Sequence, residues 1–297
     1  MSDFPIPEPV AFPPVLDIQH DTDPSRDHGI ARRIPHLGHA ALFFAIIGIC
    51  VLFATLIVIV PAMIVHPNLK TNMIALAQLG ALAMLLGYGL TFGVAFPVFP
   101  LLWKHSFLDG IHWTWRAARL RWWKLILLGF ALSALAQLAE SFVKVPKDID
   151  ILKLLNTPLA AWVTAISGAL VAPVVEEIGF RGFLLPAFAT AYDWLSLERT
   201  PAARDRWQRT SDHTRSAWIL ATVVSSAAFA ALHGFQLHWA VGPVVILFFV
   251  AIVLSVVRIR FRSVAASALV HVAYNSLLFI EMFIKTGGFR HLDKLVS

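Results

Sequence analysis

The chain is poor in charge: of its 297 residues 14% are Asp, Glu, Lys or Arg, too few to cover the surface of a soluble domain of this length. It has one cysteine, Cys50, inside an apolar run, which excludes an intrachain disulfide and a cysteine-built metal centre. Cys50 reads as a small apolar packing residue. There is no internal repeat and no glycine-rich phosphate loop. The basic residues are not gathered on a soluble module, so a nucleic-acid partner is excluded. No basic start with an early apolar core stands before His39, which argues against a cleavable signal peptide. What the chain has instead is 58% hydrophobic residues and a mean hydropathy of +0.72. That composition predicts an all-α, polytopic transmembrane helix bundle.

Seven apolar stretches are long enough to span a membrane, near Ala40–Val65, Asn72–Trp103, Lys124–Val143, Pro158 to about Ala191, Ala217–Phe235, Trp239–Val257 and Val264–Ile284. Eight spans is the alternative count. The fourth stretch exceeds the roughly 20 residues a span needs, and Pro173 and Pro186 inside it predict a broken or kinked helix. The organisation read from this is a disordered, proline-rich cytoplasmic tail over 1–39, N-terminal spans over 40–154, a core over 155–285 and a short tail over 286–297. HWTWRAARLRWWK, residues 112–124, reads as an interfacial helix with aromatics at headgroup depth. Sixteen of the 24 Lys and Arg residues fall in the tail and the second, fourth and sixth connections, and seven on the opposite side. The bias predicts a cytoplasmic N-terminus in a plasma membrane, the inner membrane of a bacterium.

Within the fourth stretch, VVEEIGFRGFLL puts Glu176, Glu177 and Arg181 where a membrane helix favours leucine. At about 2.5 to 3.5 kcal/mol each, the three would oppose insertion by roughly 8 to 10 kcal/mol if unpaired. Glu177 and Arg181 are four apart with the acid first, the favourable helical ion pair. Such a pair can serve structure alone. Glu176 is left over, a second carboxylate beside the first and away from water, in the environment that makes a base. FAALHGF places Phe229 and His233 in the fifth span, and VHVAYNS places His271 and Asn275 on one face of the seventh. Counting about 1.5 Å per residue, His233, His271 and Asn275 lie roughly 24, 10 and 16 Å deep, and Glu176 joins them only if the fourth helix runs on to Ala191.

These three blocks, EEIGFR, FAALH and HVAYN, in that order and with Pro173 and Gly182 flanking the first, resemble the CPBP intramembrane proteases, which include the type II CAAX prenyl proteases and the bacteriocin-processing or immunity proteins. The resemblance covers about residues 155–285. It implies an intramembrane endopeptidase that hydrolyses a peptide bond of a membrane-associated or prenylated protein or peptide, in contact with the lipid bilayer. Glu176 would be the base that activates water, and His233 would hold that water. His271 and Asn275 would donate to the oxyanion, Glu177 and Arg181 would be the orienting pair, and Phe229 would wall the cavity. No cofactor is expected, because HExxH is absent and Asn275 is a poor zinc ligand. The alternative is zinc on His233, His271 and Glu176. The other functional readings are a catalytically silent scaffold or immunity protein and a proton-coupled transporter.

Overall fold

The computed structural model describes residues 33–144, 155 and 157–295. The expected disordered tail falls largely on residues 1–32, outside the described residues. Among the described residues seven helices are long and apolar enough to cross a membrane: α1 (Leu37–Val65), α2 (Met73–Trp103), α3 (Trp122–Glu140), α4 (Pro158–Leu195), α5 (Arg215–Gly234), α6 (Val241–Phe261) and α7 (Val264–Lys285). No strand occurs among the described residues. This is the expected polytopic helix bundle, and the boundaries agree with the hydropathy reading to within about four residues.

Three local expectations are corrected. Residues 112–124 do not form one interfacial helix. A six-residue helix, Trp115–Leu120, stops at the non-helical Arg121 (φ −134°, ψ 23°), and Trp122 and Trp123 are already the exposed first turn of α3. At the other end of the arginine-rich side, α6 runs four residues past its expected end, so Arg258 and Arg260 are helical and not in a connection. The third concerns α4, which is neither broken nor ordinary. It takes the long course to Leu195 and carries two π-helical segments, Ser167–Val171 and Ile178–Leu184. Each ends two residues before a proline. A proline has no N–H for the carbonyl four residues back and crowds it, here at Ala169 and Gly182, and one wide turn relieves both problems without ending the helix.

Helices α1 and α2 pair, α3 packs on α7, and α5 packs on both α4 and α6. At Gly129 of α3 a Cβ would collide with the Val270 carbonyl and, at 2.6 Å, the Ala273 Cβ, so glycine is what lets α3 and α7 approach this closely. An aromatic knot of Phe43, Phe99, Trp103, Phe107 and Phe183 fastens α4 to the α1–α2 pair, with Phe43 and Phe183 stacked at 4.2 Å. The loops at one end are stitched together: Val264 N–H donates to the His112 carbonyl and Ser263 Oγ to that of Thr114, while Arg33 pairs with Asp193. Many large apolar side chains face outward, including Ile49, Leu52, Phe53, Leu127, Ile219 and Phe249, as a lipid-facing surface requires.

Candidate active site

The course of α4 decides whether a site exists, because only a helix that continues past Glu177 buries the EEIGFR block at mid-bundle. It does continue. Glu177 and Arg181 are fully enclosed, and Arg181 Nη1 donates to Glu177 Oε1 at 2.8 Å, the i,i+4 pair read from the spacing. The ion pair is tied to two other helices. Arg181 Nη2 donates to the Ala251 carbonyl of α6 at 2.9 Å, and its guanidinium lies over the Phe229 ring of α5 at 4.8 Å. His271 of α7 brings Nδ1 to 3.0 Å from Glu177 Oε1. A carboxylate held by an arginine accepts, so Nδ1 carries the proton and donates.

Glu176, the residue before this closed pair, is partly open, its side chain 21% exposed. The Nε2 atoms of both histidines converge on it: His233 Nε2 lies 3.9 Å from Oε1 and His271 Nε2 3.7 Å from Oε2. His233 Nδ1 is 2.9 Å from the Phe229 carbonyl, which can only accept, so this ring too is fixed with its Nδ1 proton turned away and Nε2 toward Glu176. Distances of 3.7 and 3.9 Å exceed a direct hydrogen bond and suit groups that share one water. Phe229 fills the space between, 4.4 Å from the His233 ring and 5.9 Å from His271. Glu176, Glu177, Arg181, Phe229, His233 and His271, foreseen on three spans, are therefore brought together.

Asn275 sits one turn beyond His271, and its Nδ2 donates to the Gly168 carbonyl at 2.8 Å. The reason lies in α4. Ala172 N–H is taken by Ser167 in the π turn, and the next residue, Pro173, has none to give. Gly168 is left with an unfilled acceptor, and Asn275 fills it with one of its two amide hydrogens. One participant and one further buried charge escaped the sequence reading. The Ala251 carbonyl carries no side-chain signal at all. Arg258, 5% exposed on α6, was hidden in RIRFR, which reads as a solvated connection; only the true end of α6 at Phe261 reveals it as buried.

Among the described residues no three of His, Cys, Asp and Glu are grouped closely enough to hold a metal ion.

Residues 158–277, which contain every one of these side chains, match the family model Type II CAAX prenyl endopeptidase Rce1-like. No curated protein and no solved structure matches the chain. The matched family is one of endopeptidases, and the matched segment lies in a multi-pass membrane protein, so the resemblance carried by the three blocks holds over this segment.

Proposed function

We propose that this chain is an intramembrane endopeptidase that cuts a membrane-associated or prenylated protein or peptide by means of a water activated by Glu176. The observation that carries the reading is the division of labour between adjacent carboxylates. Glu177 is neutralised by Arg181 and shut in, while Glu176 has no arginine, is reachable, and faces two imidazole nitrogens whose other nitrogens are already committed. A structural pair does not need the second carboxylate, and a proton relay does not need two histidines each held at Nδ1 with Nε2 turned to one carboxylate.

In this reading the water sits between Glu176 and His233 Nε2. Glu176 takes one of its protons as the oxygen attacks the scissile carbonyl carbon. The negative charge then develops on the former carbonyl oxygen, where the second amide hydrogen of Asn275 and a protonated His271 Nε2 would donate to it. Collapse expels the amine, which receives the proton Glu176 had taken. The N-terminus is cytoplasmic and the membrane is the plasma membrane on this reading.

Glu176→Gln tests the base, since the amide keeps the shape but accepts no proton. Cleavage should fall at least 100-fold with the thermal midpoint in detergent unchanged, roughly the scale of a lost general base. Cleavage at the wild-type rate overturns the assignment. Wild-type protein stripped by a chelator should stay active at negligible metal content; activity that disappears and returns with added zinc would move His233 and His271 into a ligand role.

A further inference from the structure

Arg258 takes no part in the chemistry above. Among the described residues it forms no hydrogen bond or ion pair, and its Nε is buried without a partner. The carboxylate whose field reaches it is Glu177, whose Oε1 is already shared by Arg181 and His271, and Arg262 adds repulsion. A guanidinium enclosed in a membrane bundle without a counter-ion is costly. Its register is informative. Arg258 follows Ala251 by seven residues, two turns along one face of α6, and the Ala251 carbonyl is the one that Arg181 binds. Helical side chains lean toward the N-terminus, which carries this guanidinium from the arginine-rich end back toward the site. On α5, Ser226 stands one turn from Phe229 on the same side, fully buried, its hydroxyl also without a partner. Two orphan polar groups thus stand on two packed helices, both on the arginine-rich side of the contact between Phe229 and Ala251. A water would satisfy the hydroxyl but leave the charge uncompensated.

Resting on the proposed peptidase activity, we infer that Arg258 binds the free C-terminal carboxylate of the substrate, with Ser226 Oγ beside it. The planar guanidinium matches a carboxylate with two parallel hydrogen bonds. The Ala251 and Arg258 backbones are about 11 Å apart along α6 and the guanidinium leans back over that span, while an extended chain covers roughly 3.3–3.6 Å per residue, so a terminus held here places the cut within about three residues of the end. A CAAX segment is by definition C-terminal, and a cut after its cysteine leaves three residues ending in a carboxylate. The anchored terminus makes Arg258 a ruler for the position of the scissile bond.

The experiment compares two fluorogenic peptides of one sequence, one ending in the free acid and the other in the amide. Wild-type enzyme should prefer the acid about tenfold in kcat/KM, mostly through KM, as for the loss of one charge-assisted contact. Arg258→Gln should cut both alike, and Arg258→Lys should keep a reduced preference. Equal cleavage of acid and amide by wild type overturns the inference even if Arg258→Gln fails to fold, and so does an undiminished preference in a folded Arg258→Gln. If neither peptide is cut, the proposed activity fails by itself, and fluorescence anisotropy of the same two labelled peptides on Glu176→Gln protein decides the carboxylate site: acid bound about tenfold tighter supports it, equal binding overturns it. Acid and amide bound equally, with both displaced by anionic lipid vesicles, would assign Arg258 to a headgroup and overturn it too.

Discussion

Glu177 Oε1 receives two donors at once, Arg181 Nη1 and His271 Nδ1, and through them one carboxylate fixes a helix, a tautomer and the neighbour that does the chemistry. Removing Arg181 leaves that carboxylate buried and uncompensated. Arg181→Ala should therefore destabilise the protein by about 3–5 kcal/mol, the range for breaking a fully buried pair, and cut activity further by freeing His271. A detergent melt checks it, and an unchanged midpoint would mean that the pair is hydrated and contributes little. The chemistry of this site was legible in the sequence because charges in apolar helices are rare enough to be conspicuous, and spacing of four is unambiguous. Arg258 was not legible, since a cationic residue near a span's end looks the same in one dimension whether it points to water or into the bundle. Neither was the Ala251 carbonyl, because backbone acceptors have no letter of their own.

The seven spans were legible as elements because hydropathy over about 20 residues reports the membrane directly. The form of α4 was not, since proline announces a lost hydrogen bond without saying whether the helix breaks, kinks or widens. Here it widens, and the cost is transferred to a single acceptor at Gly168, filled by Asn275. That coupling can be measured. Asn275→Ala should cost about 1–3 kcal/mol by stranding the buried carbonyl. With Pro173→Ala already in place, residue 173 regains an N–H, Gly168 is served from within α4 in either the wide or the ordinary turn, and the same Asn275→Ala change should cost about 1 kcal/mol less. Melts of the four proteins in detergent without substrate give the coupling. Equal costs in the two backgrounds would show that Asn275 does not act through Gly168. Because no substrate is present, this readout is independent of any part Asn275 plays in stabilising an oxyanion.

At the scale of the whole molecule, one end of the bundle gathers the arginine-rich segments. Arg33 and His213 both converge on Asp193, Thr214 Oγ1 donates to its other oxygen, and the 112–114 and 262–264 segments bind one another. This end is pH-sensitive. Burial, with Arg33 adding to it against the pull of Asp193 and Asp212, holds the His213 ring below its ordinary pKa of about 6.5. As pH falls below about 6.5, the unfolded chain takes up a proton that the folded ring refuses, so stability is full above that value and declines beneath it. The melting midpoint in detergent should drop between about pH 7 and pH 5, and His213→Asn should flatten that slope; an unflattened slope would assign it to other groups. Which side of the membrane this end faces follows from two further facts. Seven is odd, so the beginning of α1 and the end of α7 lie on opposite sides, and the excess of Lys and Arg belongs to the end that holds residues 33–36, 104–121, 196–214 and 262–263. Positive residues are retained on the cytoplasmic side, so the expected orientation has this end, and Arg258 with it, in reach of cytoplasmic chains. Two exposed positions read the orientation. In a Cys50→Ser background, Asn68→Cys between α1 and α2 should react in intact cells with a membrane-impermeant maleimide, while His105→Cys between α2 and α3 should react only after permeabilisation. The reverse pattern would turn the protein over and deny the site a cytoplasmic substrate, and labelling of both positions from one side would break the seven-span count itself.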